Sequence, residues 1–180
     1  VNTIADGTAV KTPGKNIFPY IRDNIDEIVT VPDEELVVSF LDIVENHKMI
    51  VENSGLLTVA ALRHLDMKNK RIVSILSGGN MDIITMSSVV QQGLIFRDRI
   101  FTVSVLLPDK PGELTKVSEV IASQSGNVIK LEHNQFVSIN RNAAVELRIT
   151  LETFGTEHKN QIIKALEEKG YQPKQVRTNI

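Results

Sequence analysis

Residues Ile100–Val128 read IFTVSVLLPDKPGELTKVSEVIASQSGNV, and two hydrophobic periods meet within them. Phe101, Val103, Val105 and Leu107 alternate with Thr102 and Ser104, the period of a strand covered on one face. DKPGEL (Asp109–Leu114) then starts a helix whose apolar positions Leu114, Val117 and Ile121 keep helical spacing until Gly126 and Asn127 stop it. Two more strand patterns follow, Val128–Ile139 and Ala144–Thr153, the second alternating Val145, Leu147, Ile149 and Leu151 against Glu146, Arg148, Thr150 and Glu152. Asn140, Arg141 and Asn142 make the turn between them. A last helix, Glu157–Lys169, shows Ile162, Ile163 and Leu166 and ends at Gly170, after which Gln172–Thr178 can form a short strand. The order βαββαβ predicts an α+β, ferredoxin-like sandwich over residues 99–180, with one sheet face under two helices and the other open. An open, partly apolar face or edge invites pairing, so homo-oligomerisation through this half is expected.

Upstream, FRDR (Phe96–Arg99) interrupts the apolar texture and marks a boundary. Residues 1–98 follow another rhythm. Strand-like runs at Glu27–Val31, Met49–Val51 and Ile72–Leu76 alternate with helical patterns from Asp33 (Leu36, Val37, Phe40, Leu41 and Val44 on one face), at Gly55–Leu65 and at Ile83–Leu94. This predicts an α/β layout with a parallel sheet buried on both faces. Ala5–Gly14 and the segment around Pro19 read as loops lining a site or a surface. Within RIVSILSGGNMD (Arg71–Asp82), the strand discharges into Ser77, Gly78, Gly79 and Asn80. Strand ends of this kind bind ligands in alternating α/β sheets, because glycine lets a flat or phosphorylated group approach the backbone. A tight strand-to-helix turn accounts for the same residues.

Composition narrows the function classes. The 180 residues, 42% hydrophobic, suffice for two modest cores. Lysines and arginines number 20 against 22 acidic residues, scattered without aromatic interleaving, so neither a nucleic-acid groove nor a membrane face is indicated. No basic-then-apolar leader opens the chain, and the cytosol is the expected compartment. Cysteine is absent, which removes thiolate metal sites and Cys nucleophiles. His47, His64, His133 and His158 have no metal-ligand spacing, so no metal is expected. The acidic run Asp33–Glu35 opens a helix, where the dipole favours negative charge, and reads as structural.

Three ordered motifs carry a resemblance. TIADGTAVKTPG (Thr3–Gly14), VENSGLLTVAAL (Val51–Leu62) and SILSGGNMD (Ser74–Asp82) resemble the carboxyl-terminal part of the catalytic domain of threonine dehydratases, which are fold type II pyridoxal-phosphate enzymes. Arg97–His133 resembles an ACT regulatory domain appended to them. The resemblance implies pyridoxal 5'-phosphate as cofactor and electron sink, and conversion of L-threonine to 2-oxobutanoate and ammonia by α-proton removal and β-elimination. It implies that Ser77 bonds the pyridine nitrogen, with Gly78 beside it and Glu52 and Gly7 near the ring. Leu56 departs from the alanine frequent in relatives. The family's S-F-K-type Schiff-base lysine motif, S-S-G-N-H-type motif and phosphate-binding glycine loop do not occur here, and Lys11, Lys48 and Lys70 stand in no such context. Together with a first methionine only at Met49, this predicts a fragment without lyase activity of its own.

For the ACT half, the resemblance implies an amino-acid effector, isoleucine or valine favoured, bound between two copies near the first strand-to-helix loop. That loop supplies Asp109, Pro111, Gly112, Glu113 and Leu114. The first-turn amides can receive a carboxylate, and Asp109 either takes an ammonium or caps the helix. Asn127, Val128 and Ile129 are expected beside that loop as backbone groups and an apolar wall, core packing being their alternative role. A ligand-blind assembly module and a serine-specific type II dehydratase are the rival readings.

Overall fold

The computed structural model describes residues 2–66, 68–135 and 145–179. The chain divides into two compact units, Val1–Gly93 and Leu94–Ile180.

The first unit is built around α2 (Asp33–His47). Its stripe Leu36, Val37, Phe40, Leu41 and Ile43 is buried, which follows from apolar residues recurring at i, i+3, i+4 and i+7. Ile43 and Ser39 are buried where the sequence favoured Val44. The Ser39 hydroxyl accepts from Arg63 Nη1 at 3.1 Å, and Arg63 Nη2 donates to Asp42 at 3.0 Å. Before α2 stands α1 (Phe18–Asn24), in the segment read as loop. Pro19 occupies the first turn, where its missing N–H has no intrahelical partner to lose. Residues 53–64 do not form the continuous helix expected over Gly55–Leu65. They run as a 3-10 turn (Asn53–Leu56), the single turn α3 (Leu57–Ala60) and a second 3-10 turn (Ala61–His64). α4 (Ile83–Phe96) begins at Asp82, whose carboxylate accepts from the amides of Ile84 and Thr85 and the Thr85 hydroxyl. These bonds, the Thr85 hydroxyl foremost, hold the Asp82 carboxyl below its ordinary range. Gly93 lets α4 close on α2, since a methyl there would come within 2.6 Å of Leu41 Cδ1.

No strand forms at 27–31, 49–51 or 72–76, so the parallel sheet expected of this half is absent among the described residues. Strands exist only as ladders. Just past the second and third of these segments, Glu52 N–H donates to the Gly78 carbonyl at 3.3 Å, and among the described residues no ladder extends from it. Ile28, Val73 and Ile75 are more than two-thirds exposed, so their apolar faces lack the cover that a doubly buried sheet requires.

The second unit realises the βαββαβ order. β1 (Ile100–Leu107), α5 (Glu113–Ser123), β2 (Asn127–Asn134), β3 (Val145–Glu152), α6 (Thr156–Glu168) and β4 (Lys174–Val176) give an antiparallel sheet of order β2-β3-β1-β4. Phe101, Val103, Val105 and Leu107 with Val145, Leu147, Ile149 and Leu151 form one face, packed on Val117, Val120 and Ile121 of α5 and Ile162 and Leu166 of α6. The opposite face carries Thr102, Ser104, Glu146, Arg148 and Thr150 together with Leu106, half exposed. Every residue of the edge strand β2 is exposed. Gly126 is not the left-handed residue ending α5. Ser125 takes that role (φ 62°), while Gly126 leaves room for Ile121 and Ile162, which a methyl would approach to 2.8 and 2.9 Å. The expected turn at Asn140–Asn142 lies outside the described residues. Among the described residues, no helix is long and apolar enough to cross a membrane.

Candidate functional site

In the first unit, four stretches distant in sequence converge. Thr3 Oγ1 and Ile4 N–H donate to the Asp33 carboxylate at 2.5 and 3.0 Å, and Asn53 Nδ2 donates to the Ile4 carbonyl at 3.1 Å. These bonds moor the 3-10 turn Asp6–Thr8, so that a methyl on Gly7 would lie 2.9 Å from Ser54 Oγ and 3.8 Å from Glu52 Oε1. On the other side, Thr58 Oγ1 donates to the Ile75 carbonyl at 2.9 Å and holds the 72–76 segment against α3. Gly55 then abuts Ser77, whose carbonyl oxygen fills the space a methyl would need. Gly78 adopts φ +77°, and the Glu52 carboxyl occupies its missing side-chain position. The four residues singled out for a cofactor, Gly7, Glu52, Ser77 and Gly78, thus lie around one point, with Ser77 and Gly78 exposed.

Sequence reading missed Asn53 and Ser54 as parts of this cluster. Asn53 Oδ1 and Ser54 Oγ are buried without a hydrogen-bond partner, and a buried polar atom left unpaired is costly enough to imply a bound group or water. Their place inside VENSG was the available signal. A flat, polar-edged cofactor fits this donor set. An exposed Ser77 hydroxyl, close backbone approaches at glycine and two unpaired polar atoms on the adjoining turn supply the polar groups that a pyridoxal-type group requires. Among the described residues no lysine bonds to this cluster: Lys48 donates to the Glu45 carbonyl, and Lys11, Lys15, Lys68 and Lys70 are exposed.

In the second unit, the loop between β1 and α5 presents Asp109, Pro111 and Gly112, all exposed. Gly112 has φ +90° and is the N-cap of α5, with no side-chain capping bond. The capping alternative for Asp109 therefore falls, because the N-cap position lies three residues later, at Gly112. Glu113 receives Lys116 Nζ at 2.7 Å, and this bond raises the Lys116 ammonium above its ordinary range. Leu114, Val128 and Ile129 are about two-fifths exposed, so core packing does not absorb them. Asn127 Nδ2 donates to Glu152 Oε2 at 3.0 Å.

The expectation that Asn127–Ile129 lie beside the loop within one chain is wrong. Asn127 pairs with Glu152, which pairs with Ile100 at the start of β1, whereas the loop leaves β1 at Leu107. Seven residues of strand, about 24 Å at ~3.4 Å each, separate them. The helical crossover from β1 to β2 returns the chain to the starting end of the sheet, as it must between two strands running the same way.

Two of the four histidines have structural partners. His158 Nε2 donates to the Gln124 carbonyl at 2.6 Å, its Nδ1 accepts from Phe154 N–H at 3.1 Å, and its ring stacks on Phe154. His64 Nε2 lies 2.7 Å from Glu35 Oε2. Among the described residues, no group of three or more potential metal ligands gathers.

Residues 1–78 match the family of pyridoxal-phosphate dependent enzymes. The chain is similar to an L-threonine ammonia-lyase of Geobacter sulfurreducens, 40% identical over 172 residues, covering 94% of this chain and 42% of that protein. It is also similar to an L-threonine ammonia-lyase of Thermotoga maritima, 32% identical over 171 residues, covering 94% of this chain and 43% of that protein. The chain thus spans about two-fifths of the length of these curated relatives. The solved prephenate dehydratase of Streptococcus mutans aligns at TM-score 0.37 and 21% identity, over 42% of this chain and 40% of that one.

Proposed function

From the kinship of residues 1–78 with pyridoxal-phosphate dependent enzymes, and of nearly the whole chain with threonine ammonia-lyases, we propose that the chain is the distal part of a threonine ammonia-lyase joined to a regulatory ACT domain of ferredoxin-like type. The observation that carries the catalytic half of the reading is the convergence of Gly7, Glu52, Ser54, Ser77 and Gly78. When bound, pyridoxal phosphate supplies the electron sink for eliminating water from threonine. Ser77 contributes a neutral hydroxyl toward the ring nitrogen, the backbone at Gly78 and Gly7 lies close to the ring, and Glu52 sits in the space that Gly78 leaves. Among the described residues no lysine bonds to this cluster, so the 180-residue chain alone has no lyase activity in this reading.

For the second unit, the βαββαβ order and β2-β3-β1-β4 sheet support the ACT assignment. The exposed edge strand β2 supports self-association. Antiparallel pairing of two β2 edges about a two-fold axis sets the start of one β2 against the end of the other. That pairing carries Asn127–Ile129 of one copy toward the Asp109–Leu114 loop of its partner, and an effector amino acid, isoleucine or valine, bridges the two. Its carboxylate meets the amide of Gly112 at the start of α5, its ammonium meets Asp109, and its side chain meets Val128 and Ile129.

Calorimetric titration of the chain with isoleucine and valine tests binding, and mixing tests the shared site. Gly112→Ala and Asn127→Ala variants each lose binding as homodimers, and an equimolar mixture regains up to one site per mixed dimer. Absence of heat with every proteinogenic amino acid, alongside a persistent dimer, leaves a ligand-blind assembly module. Recovery of 2-oxobutanoate from threonine by the isolated chain refutes its assigned incompetence.

A further inference from the structure

The sheet face turned away from α5 and α6 holds a small polar recess. Thr102 and Thr150 stand opposite each other on β1 and β3, 5% and 4% exposed, with their hydroxyl oxygens 2.9 Å apart. Lys130 of β2 is the neighbour of Thr150, and Glu132 is the neighbour of Arg148 one row along. Arg177 directly follows Val176, the β4 partner of Thr102. These six side chains, with Asn179, border a cavity of about 40 Å³.

Three properties of the recess specify what fits it. The two hydroxyls contribute two protons and their mutual bond uses one. The other proton has no acceptor among the described residues, at a place where an unmade bond is expensive. Lys130 pairs with Glu132 at 2.8 Å and Arg148 Nε with Glu146 at 3.0 Å, whereas Arg177 has no ion-pair partner among the described residues. The surplus is one positive charge. A single water needs roughly 10–15 Å³, so the space admits about three atoms of that size and excludes a whole amino acid.

We propose that this recess binds a carboxylate. One oxygen accepts the spare threonine hydroxyl proton, and the guanidinium of Arg177 closes on the group as a charge-assisted, fork-shaped donor. Phosphate is too bulky and carries more charge than the surplus. The site is independent of the effector loop, which leaves β1 beyond Leu107.

The test is a titration of the 180-residue chain with acetate, replacing chloride at constant ionic strength, followed by the amide resonances of Thr102, Thr150 and Arg177. The expected result is saturable shifts of these three, weakened at least tenfold in Arg177→Gln, an exposed substitution that leaves the core intact, and also in Thr102→Val. Sedimentation in the same buffers separates the sources of the carboxylate. Unchanged mass means a free small acid, and acetate-induced loss of mass means displacement of a carboxylate side chain from a second copy. Shifts that rise linearly without saturating, or that saturate equally in Arg177→Gln, overturn the site.

Discussion

Gly55→Ala tests how the first site is assembled. A methyl on Gly55 would land on the Ser77 carbonyl oxygen, with the Ser77 carbonyl carbon at 2.8 Å and Val51 Cγ1 at 2.9 Å. Backbone atoms cannot rotate out of the way as a side-chain tip can, so either the 72–79 segment moves or the 3-10 turn opens. Overpacking costs roughly 1–3 kcal/mol, and a backbone obstacle argues for about 3. Alanine also restricts the unfolded chain, which returns about 0.4–1 kcal/mol. The net loss is then about 2 kcal/mol. Gly14→Ala is the internal control, because nothing lies within 4 Å of its added methyl, and only the small unfolded-state gain remains. Urea unfolding followed by circular dichroism reads the global difference. Because the two units can unfold separately, hydrogen exchange of a peptide spanning Ser74–Asn80 localises it, and about 2 kcal/mol corresponds to roughly 30-fold faster exchange. Equal midpoints and equal exchange for Gly55→Ala and Gly14→Ala would refute the placement of Ser77 against Gly55, and with it the converged site.

Leu147→Ala, at a wholly buried position of β3, leaves a cavity between sheet and helices and costs about 2–5 kcal/mol; Leu106→Ala, half exposed, stays within about 0.5 kcal/mol, and denaturant midpoints compare the two. Asp98→Ala strips Lys159 of its 2.8 Å partner, both side chains less than one-fifth exposed, and Thr156 of its acceptor at the start of α6. The expected loss is about 2 kcal/mol, and thermal unfolding that matches wild type would show the pair to be idle. The Ser104 hydroxyl, and next the Arg148 guanidinium, hold the Glu146 carboxyl below its ordinary 4.5. A depressed carboxylate adds stability that is fully present above pH 4.5 and is lost as acid titrates the folded form. Melting curves between pH 6 and 3 are therefore steeper for wild type than for Glu146→Gln, and parallel curves would remove Glu146 from the acid response.

The two halves differ in how far periodicity foretold them. From Phe101 to Leu107 and Val145 to Leu151, every apolar position that alternation assigned to the helix-covered face is buried, because a sheet packed on one side writes that face into the chain at every second position; the opposite face is less exposed than alternation suggests, since Thr102, Ser104 and Thr150 are buried too. The runs at Glu27–Val31, Met49–Val51 and Ile72–Leu76 look equally strand-like, yet none is one. Propensity supplies a candidate, and a strand still needs neighbours that complete its ladder. Pro19 misled for a related reason, since the same residue breaks a helix interior and suits a first turn. At the first site, Gly7, Glu52, Ser77 and Gly78 were legible as motif residues. The roles of Asp33, Asn53, Ser54 and Thr58 in mooring and lining it were not, because bonds across 17 to 49 positions leave no local pattern.

By itself the sequence determined the element order of residues 100–176 and which side of each strand of that sheet's central pair meets the core, since both follow from side-chain spacing along a single strand or helix. Only the tertiary structure decided which ends of those elements come together. It set Asn127 level with Ile100 rather than with the loop after Leu107, brought Glu52 onto Gly78, and closed Thr102, Thr150 and Arg177 around one recess. Spacing along the chain records the face a residue shows, whereas register and crossover fix its neighbours, and a site is made of neighbours.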